Sequence, residues 1–181
     1  GPQHGGASNK AYAMMKDLRE HVSDWTDEAA IKQYLADIIN KKAFDQSGLI
    51  YGIGHAVYTL SDPRTVVIKK YAEVLAKEKG NMDLYNLYIL VEKLAPEVFH
   101  EVKKSDKLVC ANVDFFAGLV YSMLGIPTEL YTPLFACGRI AGWSAHRIEE
   151  LVSGGRIMRP AFKCVNKRRA YIPSDKRTEN I

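Results

Sequence analysis

Three short strings carry side chains that can do chemistry. Gly1-Pro2-Gln3-His4-Gly5-Gly6-Ala7-Ser8-Asn9 sets one imidazole among glycines, just ahead of an apolar-periodic segment. Glycines let a backbone turn tightly and approach a ligand, and a helix start offers free N–H donors. The same string also suits a plain helix-entry loop. The second string, Tyr51-Gly52-Ile53-Gly54-His55-Ala56-Val57-Tyr58, is followed by Asp62-Pro63-Arg64. A guanidinium beside an imidazole can hold a carboxylate next to a carbonyl that needs a proton. A loop histidine near a surface arginine would read the same way. The third, Ala111-Asn112-Val113-Asp114-Phe115-Phe116-Ala117-Gly118, puts Asp114 at the start of an apolar helix, next to two aromatic rings. It is either a helix cap or a partly dry carboxylate whose surroundings tune it as a base.

Other chemistries lack their residues. Gly52-x-Gly54-x-x-Val57 misses the third glycine of a dinucleotide fingerprint, and no strand precedes it. His4-Gly5-Gly6 has no Gly-x-Ser-x-Gly elbow to serve as an oxyanion loop. His4, His21, His55, His100 and His146 show no ligand spacing, so no metal is expected. His21 and His100 read as surface residues, and His146, three positions after Trp143, as structural.

The elements that must position these residues are helical. Ala11, Met14, Met15 and Leu18 form one stripe, with Ser8 or Asn9 as its cap; Ile31, Leu35, Ile38 and Ile39 form another after Thr26. Asp62-Pro63 starts a helix with Val67, Tyr71, Val74 and Leu75 as its stripe, ended by Gly80. Leu84, Leu87, Tyr88, Val91, Leu94 and Ala95 make the next, then Val113, Phe116, Ala117, Val120 and Leu124 up to Gly125-Ile126-Pro127. Thr132-Pro133 opens a last helix through Ile140, Trp143 and Leu151, closed by Gly154-Gly155. No run alternates with period two; Lys107–Val109 and Ala170–Ile172 are short extended pieces at most. The class is all-α.

Composition bounds the rest. With 181 residues, 47% of them hydrophobic and 25% charged, the chain can bury a core and is neither disordered nor disulfide-built. Cys110, Cys137 and Cys164 match no zinc or redox spacing and favour a reducing compartment, the cytoplasm. No run approaches the ~18 apolar residues of a membrane helix. Of the net charge of +4, the surplus lies in residues 126–181, with 10 Lys+Arg against 5 Asp+Glu. Its arginines are interleaved with apolar residues, and no nucleic-acid motif accompanies them. Anionic small molecules or a solvated surface fit better.

Taken in order, the strings resemble the citrate synthase family. The matching residues are Gly1-Pro2-x-His4-Gly5-Gly6-Ala7, Gly52-x-Gly54-His55-Ala56-Val57-Tyr58, Asp62-Pro63-Arg64 and Asn112-Val113-Asp114. Leu134-Phe135-Ala136-x-x-Arg139-x-x-Gly142-Trp143-x-x-His146 and Arg156-Ile157-x-Arg159-Pro160 continue the match. The resemblance implies a citrate-synthase-like helical fold, present only in part. Residues 1–5 would be an interdomain hinge and active-site loop, 6–125 a small domain, and 126–181 the C-terminal segment of a large one.

Function follows from the same resemblance: condensation of acetyl-CoA with oxaloacetate to citrate and coenzyme A through an enol or enolate. Asp114 would be the general base, His4 would stabilise the enolate, and His55 would donate to the ketone oxygen. Arg64, Arg139 and Arg159 would bind substrate carboxylates, Arg159 across a homodimer interface. Gly52, Ile53, Gly54 and Lys107 would contact coenzyme A, which is a substrate and not a resident cofactor. Because the family's N-terminal portion is missing, the isolated chain is expected to be an inactive fragment. Alternatives are a 2-methylcitrate synthase using propionyl-CoA, or a non-catalytic binding or assembly module.

Overall fold

A computed structural model describes residues 6–154. His4, Arg159, Cys164 and the segment Ala170–Ile172 lie outside the described residues. Among the described residues six α-helices follow one another: α1 (Ala7–His21), α2 (Glu28–Ile39), α3 (Pro63–Lys79), α4 (Met82–Lys103), α5 (Val113–Met123) and α6 (Tyr131–Ser153). No strand occurs among the described residues; the one extended pairing is an isolated antiparallel bridge, Ile53 with Ala111. The expected all-α class is what the structure has. The chain divides into two units, one ending at Ala141 and the other beginning at Gly142, part-way along α6.

In the first unit α5 packs on α1 and α3, and α4 packs on α2 and α3. Each of the stripes of α1, α2 and α4 faces this core. Met14, Leu18, Ile31, Leu35, Leu87, Val91 and Leu94 are fully or almost fully buried. Tyr88 of α4 meets Phe115 and Phe116 of α5 with ring centroids 5.1 and 6.0 Å apart, filling the centre with aromatic volume.

Several starts and faces differ from the sequence reading. The residue before α1 is Gly6 in a left-handed conformation with no side-chain cap, so neither Ser8 nor Asn9 caps that helix. Asp27 caps α2, accepting from the Ala29 and Ala30 backbone N–H groups, so the helix proper begins one residue later, at Glu28. A 3₁₀ turn over Thr128–Leu130 leads into α6 at Tyr131, so the helix begins just ahead of Thr132-Pro133. Asp62 does cap α3, and Gly80 does end it.

Most of the stripe assigned to α3 points outward: Val67, Tyr71 and Val74 are 50% or more exposed, while Leu75 packs against the core. Thr65, Ala72 and Ala76 line the inner face instead. The reason is close approach: small residues let α3 lie near α5, and Lys69 pairs with Glu92 of α4 while lying 5.8 Å from the Phe116 ring centroid. On α6 only Tyr131 is buried, and the predicted Ile140, Trp143 and Leu151 are all more than half exposed.

Candidate active site

The second and third strings meet through backbone pairing. Gly54 donates its N–H to the Cys110 carbonyl at 2.7 Å, and Asn112 donates its own to the Gly52 carbonyl at 2.8 Å. The Asn112 side chain works on both partners. Its Oδ1 accepts from the Asp114 N–H, capping α5, while its Nδ2 donates to the Gly54 carbonyl at 2.8 Å. Asp114 therefore is not the cap; Asn112 is. Gly52 is required here, because a Cβ would stand 2.7 Å from Phe115 Cβ at a backbone φ of +83°. The glycine loop is thus seated directly on the start of the helix that carries Asp114.

Asp62 ties in the third part. Its carboxylate is fully buried and accepts from the Arg64 N–H, from Arg64 Nε at 3.0 Å and Nη2 at 2.8 Å, and from the Val113 N–H at 3.1 Å. One side chain therefore caps α3, grips the guanidinium and holds the first turn of α5. The Arg64 guanidinium keeps the Asp62 carboxyl below the usual carboxylate range, against the cost of burial. Arg64 is in turn held further into its charged form, chiefly by Asp62, with a smaller contribution from Asp114. As a positioning residue, Asp62 escaped the sequence reading, which saw only its cap. The available signal was the arginine two residues on, close enough for the cap to bind its side chain as well.

His55 is oriented by its own turn. Its Nδ1 accepts from the Val57 and Tyr58 N–H groups at 2.9 and 3.0 Å, which places the ring proton on Nε2. That Nε2 lies 3.4 Å from Arg64 Nη2. Both atoms are donors, so they do not satisfy each other; together they make a fork for an oxygen acceptor. The Tyr58 ring packs against both groups, its centroid 4.7 Å from the His55 centroid and 5.8 Å from the Arg64 guanidinium carbon.

The structure thus gathers His55, Arg64 and Asp114 around Asp62. Arg139 stands apart in α6, exposed, with its guanidinium 5.3 Å from the Phe135 ring centroid one turn earlier. Lys107 is exposed on the segment before Cys110 and makes no ion pair among the described residues. The hydrogen bonds of Gly54 and of the Gly52 carbonyl, together with that of the Ile53 N–H to the Ile50 carbonyl, lie within the fold. Burial, with Asp62 nearby, pushes the Cys110 thiol up, so it offers no reactive thiolate. His21 is exposed as expected and stacks on Tyr34, while half-buried His100 bonds the Ser105 carbonyl. His146 is exposed on α6, 3.7 Å from Glu149. Among the described residues no helix is long and apolar enough to cross a membrane.

The chain as a whole has counterparts among known proteins. Residues 1–161 match the family model described as citrate synthase, C-terminal domain. The 2-methylcitrate synthase of Shewanella oneidensis is 38% identical over 161 residues, 89% of this chain and 37% of that protein. The citrate synthase of Synechocystis sp. is 33% identical over 184 residues, covering 100% of this chain and 41% of that protein. In three dimensions the chain is similar to a ternary complex of carboxymethyl coenzyme A and oxaloacetate with citrate synthase from Thermoplasma acidophilum. That match has a TM-score of 0.64 at 32% identity, over 98% of this chain and 43% of that one. Citrate synthase of Thermotoga maritima gives the same TM-score at 29% identity, over 99% and 44%. This chain spans less than half the length of these relatives. The match to that family model over residues 1–161, with relatives more than 30% identical over most of the chain, shows that the chain belongs to the citrate synthase family.

Proposed function

We propose that the site serves the condensation of an acyl-CoA thioester with a keto dicarboxylate, in the first instance acetyl-CoA with oxaloacetate. The observation that carries this reading is the fork of His55 Nε2 and Arg64 Nη2, two donors 3.4 Å apart: Nη2 gives one hydrogen to Asp62 and keeps a second, and the His55 N–H meets no acceptor among the described residues. A substrate that presents a carboxylate beside a ketone fits it: Arg64 takes the carboxylate and His55 the ketone oxygen. Asp114, near enough to act on Arg64, removes a proton from the acetyl methyl group. The new carbon nucleophile attacks the ketone carbon, His55 steadies the charge that builds on its oxygen, and water then splits the citryl thioester to citrate and coenzyme A.

The remaining assignments rest on the resemblance and the relatives. His4 stabilises the enolate, Arg139 and Arg159 add carboxylate contacts, and Gly52, Ile53, Gly54 and Lys107 contact coenzyme A. Residues 6–125 form a small domain, and 126–181 belong to a large domain of a homodimer. Support for that division comes from α6, whose apolar side chains are exposed from Leu134 to Val152. The free thiols of Cys110 and Cys137 accord with a reducing cytoplasm.

Thiol release from acetyl-CoA with oxaloacetate, measured on the product of the full open reading frame, tests the proposal. Asp114→Ala is expected to lower turnover about 10²–10⁴-fold. Undiminished release in that variant would sink the reading. A second reading, condensation of propionyl-CoA to 2-methylcitrate, is favoured by the 38% identity to the Shewanella enzyme. A higher kcat/KM for propionyl-CoA than for acetyl-CoA would select it.

A further inference from the structure

Ser8 lies in the first turn of α1, yet its hydroxyl serves another helix. It donates to Asp114 Oδ1 at 2.6 Å, from a residue only 8% exposed. That length is typical of a hydroxyl bound to a charged carboxylate. The contact depends on how closely α1 and α5 pass. At Gly118 a Cβ would stand 2.9 Å from Tyr12 Cβ and 3.1 Å from the Ser8 carbonyl oxygen, so any larger residue would push the helices apart. Asn112 meanwhile holds the Asp114 backbone N–H at 3.0 Å. Among the described residues, Oδ1 alone of the two carboxylate oxygens is engaged by another side chain.

We propose that Ser8 is a positioning residue for Asp114. Its hydroxyl pins Oδ1 and so presents Oδ2 as the oxygen that receives the substrate proton. The terminal torsion of an aspartate is broad and two-fold, so a free carboxylate would spread its basic oxygen over many directions. Rate in proton abstraction depends on a near-attack arrangement, which a fixed oxygen supplies before substrate arrives. This inference rests on the base role assigned to Asp114 above.

Chemical-denaturation midpoints of wild type, Ser8→Ala, Asp114→Ala and the double variant need no turnover. A shared hydrogen bond leaves the double variant no less stable than the weaker single one. Additive midpoint shifts would overturn the bond and the proposal with it. Turnover by the product of the full open reading frame then separates positioning from packing. Ser8→Ala is expected to lower kcat at least tenfold with both KM values within twofold, and Ser8→Thr, which keeps a hydroxyl, to recover most of the loss. An unchanged kcat in Ser8→Ala, or a loss carried by KM, would overturn the positioning role. A wild type that releases no thiol would defeat the functional reading, while the midpoints still decide whether Ser8 pins Asp114.

Discussion

Helices α1 and α6 are both amphipathic in sequence and end in opposite surroundings. Ala11, Met14, Met15 and Leu18 of α1 are at most 1% exposed, whereas Leu134, Phe135, Ile140 and Trp143 of α6 are at least 40% exposed. Apolar periodicity states which side chains favour burial; it does not name the surface that covers them. Helix α3 falls between the two. It is held from inside by small residues, by Ile68 and Leu75, by the Lys69–Glu92 pair and by the Asp62 carboxylate, while Val66, Val67, Tyr71 and Val74 face out. On α3, then, small residues and buried polar groups do much of the holding that an apolar stripe does on α1.

That contrast is open to attack by mutation, and the largest effect should come from Gly52. Gly52→Ala combines overpacking against Phe115 with left-handed strain, together about 2–5 kcal/mol in a denaturation series. Gly54→Ala, whose Cβ would meet open space, carries the strain alone, about 1–2 kcal/mol. Equal losses would mean that the loop is not seated on α5.

Asp62→Ala should cost about 2–3 kcal/mol, less than a fully buried pair, because the Arg64 side chain is 45% exposed and can return to water. The Asp62 carboxyl titrates below its ordinary value in the folded chain, so its contribution is complete above about pH 4 and is lost as the pH falls through the folded value. Wild type should therefore show an acid limb that Asp62→Ala lacks in part. A superimposable limb would remove Asp62 from the site's framework.

Tyr131, the one buried residue of α6, offers a gentler test. Burial, helped by Tyr12 and Tyr121, pushes its phenol up to about 12. Its contribution is complete below pH 10 and is lost as the pH rises through that higher value. Tyr131→Phe should cost about 1 kcal/mol at neutral pH and shrink the alkaline limb of the stability curve. The smallest effects belong to the outward faces. Tyr71→Ala and Trp143→Ala should each change stability by about 0.5 kcal/mol or less in this chain, whereas Ala72→Leu, on the inner face of α3, should cost about 1–3 kcal/mol. A large loss at Tyr71 would show that α3 is held by its apolar stripe after all.

Much of the fold was legible in the sequence. The stripes of α1, α2 and α4, the Asp62 cap and the Gly80 stop can all be read from residue type and spacing. What escaped was tertiary. Ser8 looked like a cap because serine favours that place, but a neighbouring helix offered its hydroxyl a charged partner. Asp114 looked like a cap for a similar reason, although Asn112, two residues earlier, could both accept from α5 and donate to the glycine loop. The outward stripe of α3 misled because its inner neighbours, Ala72 and Ala76, leave little mark on a hydropathy pattern. His55 and Arg64 were paired from their spacing, and the structure brings them together.

The bonds from Asn112 to Gly54 and from Val113 to Asp62 join positions 58 and 51 residues apart in the chain. No short peptide contains both ends, so the donor fork and the base cannot be preassembled locally. Loops of this size must close before either contact returns any free energy, which makes this junction a late event in folding and an early one in local opening. In native-state hydrogen exchange the amides of Gly54, Asn112 and Val113 should therefore open together, as one cooperative unit less protected than the α2–α4 pair.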